Sequence, residues 1–273
     1  MSARKHQGRI VDKEITIRAT PAQVYTAFAD ARAIARWFVD AAEGVAKPGE
    51  LMTWIFRDMN FRLPVPILEA QPNSEFVTGA DIPGRLPALM EVSIRPVNGE
   101  SGTTRVRLVN SGFADGAQWD EEYQGVDSGW TMALATLKHA LEVHPDRDRT
   151  HVMAMRPATF DPARLRALYT TAAGLDAWLG SDARITGDAV HVGAELTLRT
   201  PGCGPLSGRV LADSGREVLL EWREQSAVLG LKTFAAGPAR MICLDFSTWS
   251  ASPPLVTKGA LEGLLSRLAD ALA

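Results

Sequence analysis

Two stretches of the chain read as one segment written twice. "TPAQVYTAFADARAIARWF" ends at Phe38 and "DPARLRALYTTAAGLDAWL" ends at Leu179, with Pro21 matching Pro162 and Trp37 matching Trp178 at one offset of 141 positions (21 to 162, 37 to 178). A chain written this way has two similar sets of apolar residues to bury, which points to two copies of one fold. The length of 273 residues suits two medium domains, since single cores stop growing near about 250 residues.

Each half follows the same order. Ile10 to Arg18 alternate apolar and polar, the pattern of a half-buried strand. Thr20 then supplies a helix cap with Pro21 at the first helical position, and a second short helix is expected to carry Ile34, Trp37 and Phe38. Strands are expected over 51–56, 61–68, 75–79, 88–95 and 103–110, with Asn98-Gly99 as a hairpin signal between the last two. Pro64 and Pro66 mark their strand as an edge or as bulged, because proline has no N–H to donate. A long helix opens near Gln118, and Tyr123, Val126, Trp130, Leu134, Leu137 and Leu141 recur along it as one apolar stripe. Polar "PDRDRT" from Pro145 to Thr150 reads as a linker, which divides the chain into domains at 8–145 and 151–273.

The second half reads as a trimmed copy. Asp161-Pro162 opens its first helix, strands are expected around 195–199, 217–223 and 242–246, and "PGCGP" (201–205) reads as a turn. Pro253-Pro254 is expected to start a closing helix with the stripe Leu261, Leu264, Leu265, Leu268 and Leu272. Helices first, an antiparallel meander next and a long helix last make an α+β arrangement.

Several function classes lose support from composition. A net charge of −3 leaves no basic footprint for nucleic acid, and no run approaches the roughly 20 apolar residues that span a bilayer. The basic "MSARKHQGR" has no apolar run of signal-peptide length behind it, so a cytoplasmic location is expected, with Cys203 and Cys243 as reduced core thiols. None of the five histidines forms an HxH or HExxH pair, no cysteine lies in CxxC, and no GxSxG elbow is present. His144, Asp146, Asp148 and His151 crowd the linker, but a solvated linker accounts for them. No metal and no cofactor is expected.

The order of motifs resembles the START-like (helix-grip, SRPBCC) superfamily, and within it the group related to the activator of Hsp90 ATPase. The pieces that carry the resemblance are the Thr20-Pro21 helix start, Trp37, Gly49-Glu50 leading a strand, the Gly112-Phe113 step and Gly129-Trp130 in the long helix. It extends over about residues 10–143 and more loosely over 151–273. It implies tandem helix-grip domains, each a curved antiparallel sheet wrapped around its carboxy-terminal helix with a cavity between them. Members bind hydrophobic small molecules, protect against natural products, catalyse cyclisations or assist chaperones. The co-chaperone itself carries a separate amino-terminal domain, whereas about ten residues precede the first expected strand here, which weighs against a chaperone role as the expectation.

Twelve of the nineteen aromatic residues precede the linker, so an apolar ligand site is expected in the first copy. The expected lining includes Trp37 from the second short helix and Met52, Trp54, Phe56, Phe61, Phe76 and Met90 from the sheet, faced by Tyr123, Asp127, Trp130 and Leu134 from the long helix. At 100° per residue Asp127 falls about 40° from Tyr123 and about 60° from Trp130. A carboxylate inside an apolar stripe is hydrogen-bonded, neutralised, or open to water in a cavity. The expected partner is an apolar small molecule. A protein-interaction module and a cyclase- or hydrolase-type enzyme using Tyr123 and Asp127 are the alternatives.

Overall fold

A computed structural model describes residues 6, 8–80, 86–187, 190–236 and 239–273. Most of the basic amino-terminal stretch lies outside them. The chain divides into two compact units, Met1–Asp148 and Arg149–Ala273.

In the first unit, β1 (Arg9–Ile17) leads into α1 (Pro21–Ala29) and α2 (Ala31–Ala35). A meander follows: β2 (Ala41–Gly44), β3 (Leu51–Phe56), β4 (Phe61–Gln71), β5 (Glu75–Ala80), β6 (Ala88–Pro96) and β7 (Thr104–Phe113). A single 3-10 turn (Ala117–Trp119) then delivers the chain to the long α3 (Asp120–Val143). The seven strands form one antiparallel sheet in the order β1-β7-β6-β5-β4-β3-β2.

The second unit repeats this plan strand for strand. It runs β8 (Thr150–Ala158), α4 (Pro162–Thr170), α5 (Ala172–Trp178), β9 (Ser181–Ile185), β10 (Glu195–Thr200), β11 (Gly204–Asp213), β12 (Val218–Trp222), β13 (Ala227–Ala236), β14 (Ala239–Thr248) and α6 (Lys258–Leu272). Its sheet has the corresponding order β8-β14-β13-β12-β11-β10-β9. The copy therefore keeps all seven strands. What is shorter is its closing helix, 15 residues against 24.

Local chemistry explains the shared helix pair. Thr20 closes a capping box with Gln23, its hydroxyl accepting from the Gln23 N–H while the Gln23 side chain accepts from the Thr20 N–H. Asp161, at the same position in the copy, accepts from Ala163 and Arg164. Asp30 and Thr171, again 141 positions apart (30 to 171), cap α2 and α5. The tie between the helices is the same in both copies. The Trp37 indole N–H donates to the Ala27 carbonyl at 2.8 Å, and the Trp178 indole N–H to the Leu168 carbonyl at 2.9 Å.

Several expectations need correction. α2 ends at Ala35, so Trp37 and Phe38 lie on the turn that follows, closed by the Phe38 N–H bonding back to the Ile34 carbonyl at 2.9 Å. α6 begins at Lys258, capped by the Thr257 hydroxyl, and not at Pro253-Pro254. The second proline of such a pair pushes the first out of the helical region, so the helix waits for a cap. Thr150 belongs to β8, which has no clear alternation to betray it, and the short edge strands β2 and β9 were equally silent. β4 is not a sheet edge, yet half of it behaves as one. Among the described residues Phe61–Pro66 pair only with β3, and pairing with β5 begins at Ile67, with a register shift between Ile67 and Glu69. Ile67 directs both its N–H and its carbonyl to the β3 side, bonding Glu50 and Gly49. By pleat alternation Pro64 and Pro66 turn their nitrogens to the unpaired side.

Each sheet packs its helix against one face. In the first unit Val11, Ile17, Phe76, Val92, Ile94, Val106 and Leu108 of the sheet are buried, as are Trp130, Leu134 and Leu137 of α3. In the second, the α6 leucines join Trp178, Trp222, Leu244 and Phe246 in one core. Glycines separate tight from open places. A Cβ on Gly208 would stand 2.0 Å from the Glu221 carbonyl oxygen of the neighbouring strand, whereas one on Gly125 in α3 meets nothing within 4 Å. Gly208→Ala should therefore cost on the order of 3 kcal/mol. Gly125→Ala should gain about 0.5–1 kcal/mol by removing backbone entropy from the unfolded chain. Urea denaturation of the two variants checks both signs.

Candidate functional site

The aromatic residues of the first unit form one continuous cluster. β3 presents Met52, Trp54 and Phe56 on the helix-facing side, opposite Val65, Leu63 and Phe61 of β4. From the turn after α2, Phe38 reaches the centre. Its ring stacks on Trp37 (centroids 5.1 Å, planes 29° apart) and on Trp130 of α3 (5.3 Å, 19°). It meets Trp54 at 5.3 Å and Phe56 at 6.0 Å, both nearly perpendicular. Phe56 stacks in turn on Phe61, whose ring is 46% exposed. On the inner side Trp37 touches Phe28 at 5.1 Å, and Phe28 touches Phe76 at 6.5 Å. The cluster thus grades from a buried end at Phe76 to an open rim at Phe61, and each aromatic pair adds about 0.5–1.5 kcal/mol beyond area burial.

The three indoles here differ in their polar ends. Trp37 is tied to Ala27, and Trp130 donates at 3.0 Å to Oδ1 of Asn110, which itself donates to the Leu89 carbonyl. Trp54 is 5% exposed and its Nε1–H has no hydrogen-bond partner among the described residues. A buried unpaired donor costs about 1–3 kcal/mol, so this one is conspicuous in an otherwise apolar surround.

The structure brings Trp37, Trp54, Phe56, Phe61 and Trp130 together through Phe38. Met52, Phe76, Met90 and Leu134 are buried around that group, Met90 standing opposite Asn110 in the strand register. Tyr123 and Asp127 are committed elsewhere, along the seam between α3 and β1. The Tyr123 hydroxyl donates to the Ile10 carbonyl at 3.0 Å, and its ring carries the Arg9 guanidinium at 4.7 Å and packs edge-on against Phe113. Asp127 pairs with Lys13 at 2.8 Å. Lys13 occupies a helix-facing position of β1, so the carboxylate that interrupts the α3 stripe is matched by an ammonium that interrupts the β1 stripe. Arg9 with Asp120, and Lys138 with the Thr16 carbonyl, continue the seam.

Phe38 is the residue that sequence reasoning missed. The signal was in the repeat: at the matching position the copy has Leu179, so an aromatic ring replaces an aliphatic side chain at an otherwise shared corner.

A second group of titratable side chains lies in the second unit. Asp245 of β14 accepts from Lys232 of β13 and pairs with His151 of β8, each at 3.0 Å, on the sheet face opposite the α6 core. Burial would raise the Asp245 carboxyl, but the Lys232 ammonium, with His151 and Arg149, outweighs it and holds the group well below the usual carboxylate range. This also takes His151 out of the linker crowd. Asp146 and Asp148 pair with Arg36, and Asp148 also with Arg32. Burial, with Arg147 nearby, pushes the His144 imidazole down to about 4. Among the described residues no three His, Cys, Asp or Glu side chains are grouped to hold a metal, and both cysteines are buried free thiols. No helix is long and apolar enough to cross a membrane.

A carboxylate with a depressed folded pKa stabilises above its unfolded pKa and loses that contribution as acid protonates it. The Asp245 contribution is thus complete above about pH 4 and falls away below it. Asp245→Asn should lower stability at pH 7 by about 3 kcal/mol, because Lys232 loses its partner. It should also flatten the acid loss between about pH 4 and 2 relative to the parent chain. Denaturation midpoints across that range check both.

Comparison with known proteins places these features. The model of the family described as "Activator of Hsp90 ATPase homolog 1-like protein" matches residues 18–142. No curated protein matches the chain in sequence. Among solved structures, the di-domain ARO/CYC BexL from the BE-7585A biosynthetic pathway is 14% identical with a TM-score of 0.46, covering 97% of this chain and 98% of its own. DynU16, a putative protein in the dynemicin biosynthetic locus, is 15% identical with a TM-score of 0.42, covering 96% and 94%. The Aha1 dimer from Colwellia psychrerythraea is 18% identical with a TM-score of 0.42, covering 50% of this chain and 97% of its own. The model of the activator of Hsp90 ATPase homolog 1-like family thus covers most of the first unit, and the second unit repeats that unit's order of strands and helices.

Proposed function

We propose that the first unit binds a small apolar molecule bearing one hydrogen-bond acceptor, held among Phe38, Trp54, Phe56 and Trp130. The observation that carries this reading is the Trp54 Nε1–H, a buried donor left unpaired where the two neighbouring indoles are both satisfied. An apolar site with one placed polar group is the usual makeup of a small-molecule pocket. The gradation from buried Phe76 to exposed Phe61 supplies a route from solvent to that donor. Tyr123 and Asp127, spent on the β1 seam, contribute no reacting group, so the reading is of a binding protein and not of a cyclase or hydrolase.

A second reading, docking of a protein partner, is favoured by the opposite face of the β3–β4 pair. Leu51 and Leu68 are 48% and 46% exposed there, beside Pro66.

Matched probes separate the two. Calorimetric titration with 2-acetylnaphthalene and with its hydrocarbon counterpart 2-ethylnaphthalene should show the ketone binding roughly 2- to 13-fold tighter, the worth of one neutral hydrogen bond. Trp54→Phe should bring the two affinities together. No binding of either probe, or a ketone preference that survives Trp54→Phe, overturns the small-molecule reading and leaves the docking face.

A further inference from the structure

The stacking of Phe38 deepens that reading, on which the following rests. Its ring stacks on the Trp37 indole and on the Trp130 indole, close to parallel with each, so the space it fills is a ring-sized slot bordered by two indoles. The side chains that form the slot are fixed. Trp37 is 3% exposed and tied to the Ala27 carbonyl; Trp130 is 8% exposed and tied to Asn110. The side chain that fills it is not fixed in the same way. Phe38 has no polar atom to anchor it, sits on the turn beyond the end of α2, and is only half-buried. Its open side leads along Phe56 to the exposed Phe61. The copy adds a control on what the corner requires. There the position is Leu179, completely buried, behind the same tryptophan tie. The corner therefore folds with an aliphatic side chain, and a ring in the slot is a property of the first unit alone.

We propose that Phe38 is a displaceable plug, whose ring holds the slot bordered by Trp37 and Trp130 until the flat aromatic ring of a ligand takes its place. The exchange is close to balanced, because the incoming ring stacks on the same two indoles that Phe38 gives up. The unpaired Trp54 N–H, on an indole in perpendicular contact with Phe38, then offers a hydrogen bond that the phenyl ring cannot accept in the plane. The ligand class that follows is a planar aromatic ring with a carbonyl or comparable acceptor on its rim. A plug also lowers apparent affinity by the fraction of molecules in which the slot is closed, so removing it should tighten binding.

Phe38→Leu, which installs the residue of the copy, tests this in the full chain. Affinity for 2-acetylnaphthalene should rise about 10-fold, the release of two stacking contacts. Affinity for 1-acetyladamantane, which carries the same acceptor on a body too thick for the slot, should rise much less. An equal or weaker affinity for the flat ketone in a variant that melts like the parent makes Phe38 a fixed wall and overturns the plug. The equal gain of both probes overturns the flat-ring class. If no probe binds parent or variant, the binding reading fails and the plug with it. A measurement on the unaltered sequence stands independently of the variant. With ring-labelled phenylalanine, the Phe38 protons should be shifted upfield between the two indoles and move toward free-chain values on adding 2-acetylnaphthalene. Phe38 signals that stay in place while the ketone binds overturn the proposal.

Discussion

The hydrogen bond from the Trp37 indole to the Ala27 carbonyl is the constraint on which the first unit's aromatic site depends. It closes the corner between α1 and α2 and seats Trp37 against Phe28. The next residue, Phe38, must then leave the corner toward β3 and α3. Its stacking on Trp130 and its contacts with Trp54 and Phe56 follow from that one direction. The bond reaches back ten residues in both copies, so the corner is closed within a local stretch of chain. Breaking it would strand a buried indole donor, at about 1–3 kcal/mol.

The features that local chemistry controls were legible in the sequence. Thr20 and Asp161 with their following prolines announce the helix starts, and the alternation of Met90, Val92 and Ile94 announces β6. The repeat of Pro and Trp at one offset announces that both halves share a fold. What was not legible depends on distant partners. β2 and β9 are short edge strands whose pairing is decided by β3 and β10, not by their own pattern. Asp127 stands out in the α3 stripe, but its partner Lys13 lies on the first strand, 114 positions earlier (13 to 127), and no periodicity connects them. Phe38 was hidden for a related reason. Its importance comes from four rings, three of them on the distant β3 and α3, and only the substitution by Leu179 in the copy hinted at it.

The two copies show how one frame carries different interiors. Both keep the caps, the tryptophan tie and the strand order. The first fills its helix–sheet layer with rings that stack in chains and run out to the surface. The second fills the same layer with the α6 leucines and closes around Trp222 and Phe246. Leucines accommodate one another by rotamer choice and leave few gaps, whereas flat rings meet in a limited set of orientations and leave slots. The polar groups are distributed in keeping with this. In the first unit, the long seam between α3 and β1 gathers Arg9, Tyr123, Lys13, Asp127 and Lys138 along one border, away from the rings.

The divided pairing of β4 has a consequence for the company this protein keeps. Along Phe61–Pro66 one side of the strand has no partner among the described residues, and an unpaired side of this kind is in general a template for a strand from another molecule. Arg62, Pro64 and Pro66 turn their backbone nitrogens toward that side, and of the three only Arg62 has a hydrogen to give an intruding strand. The prolines therefore act as a guard against edge-to-edge aggregation. They let the sheet open beside its aromatic rim without making the opening adhesive.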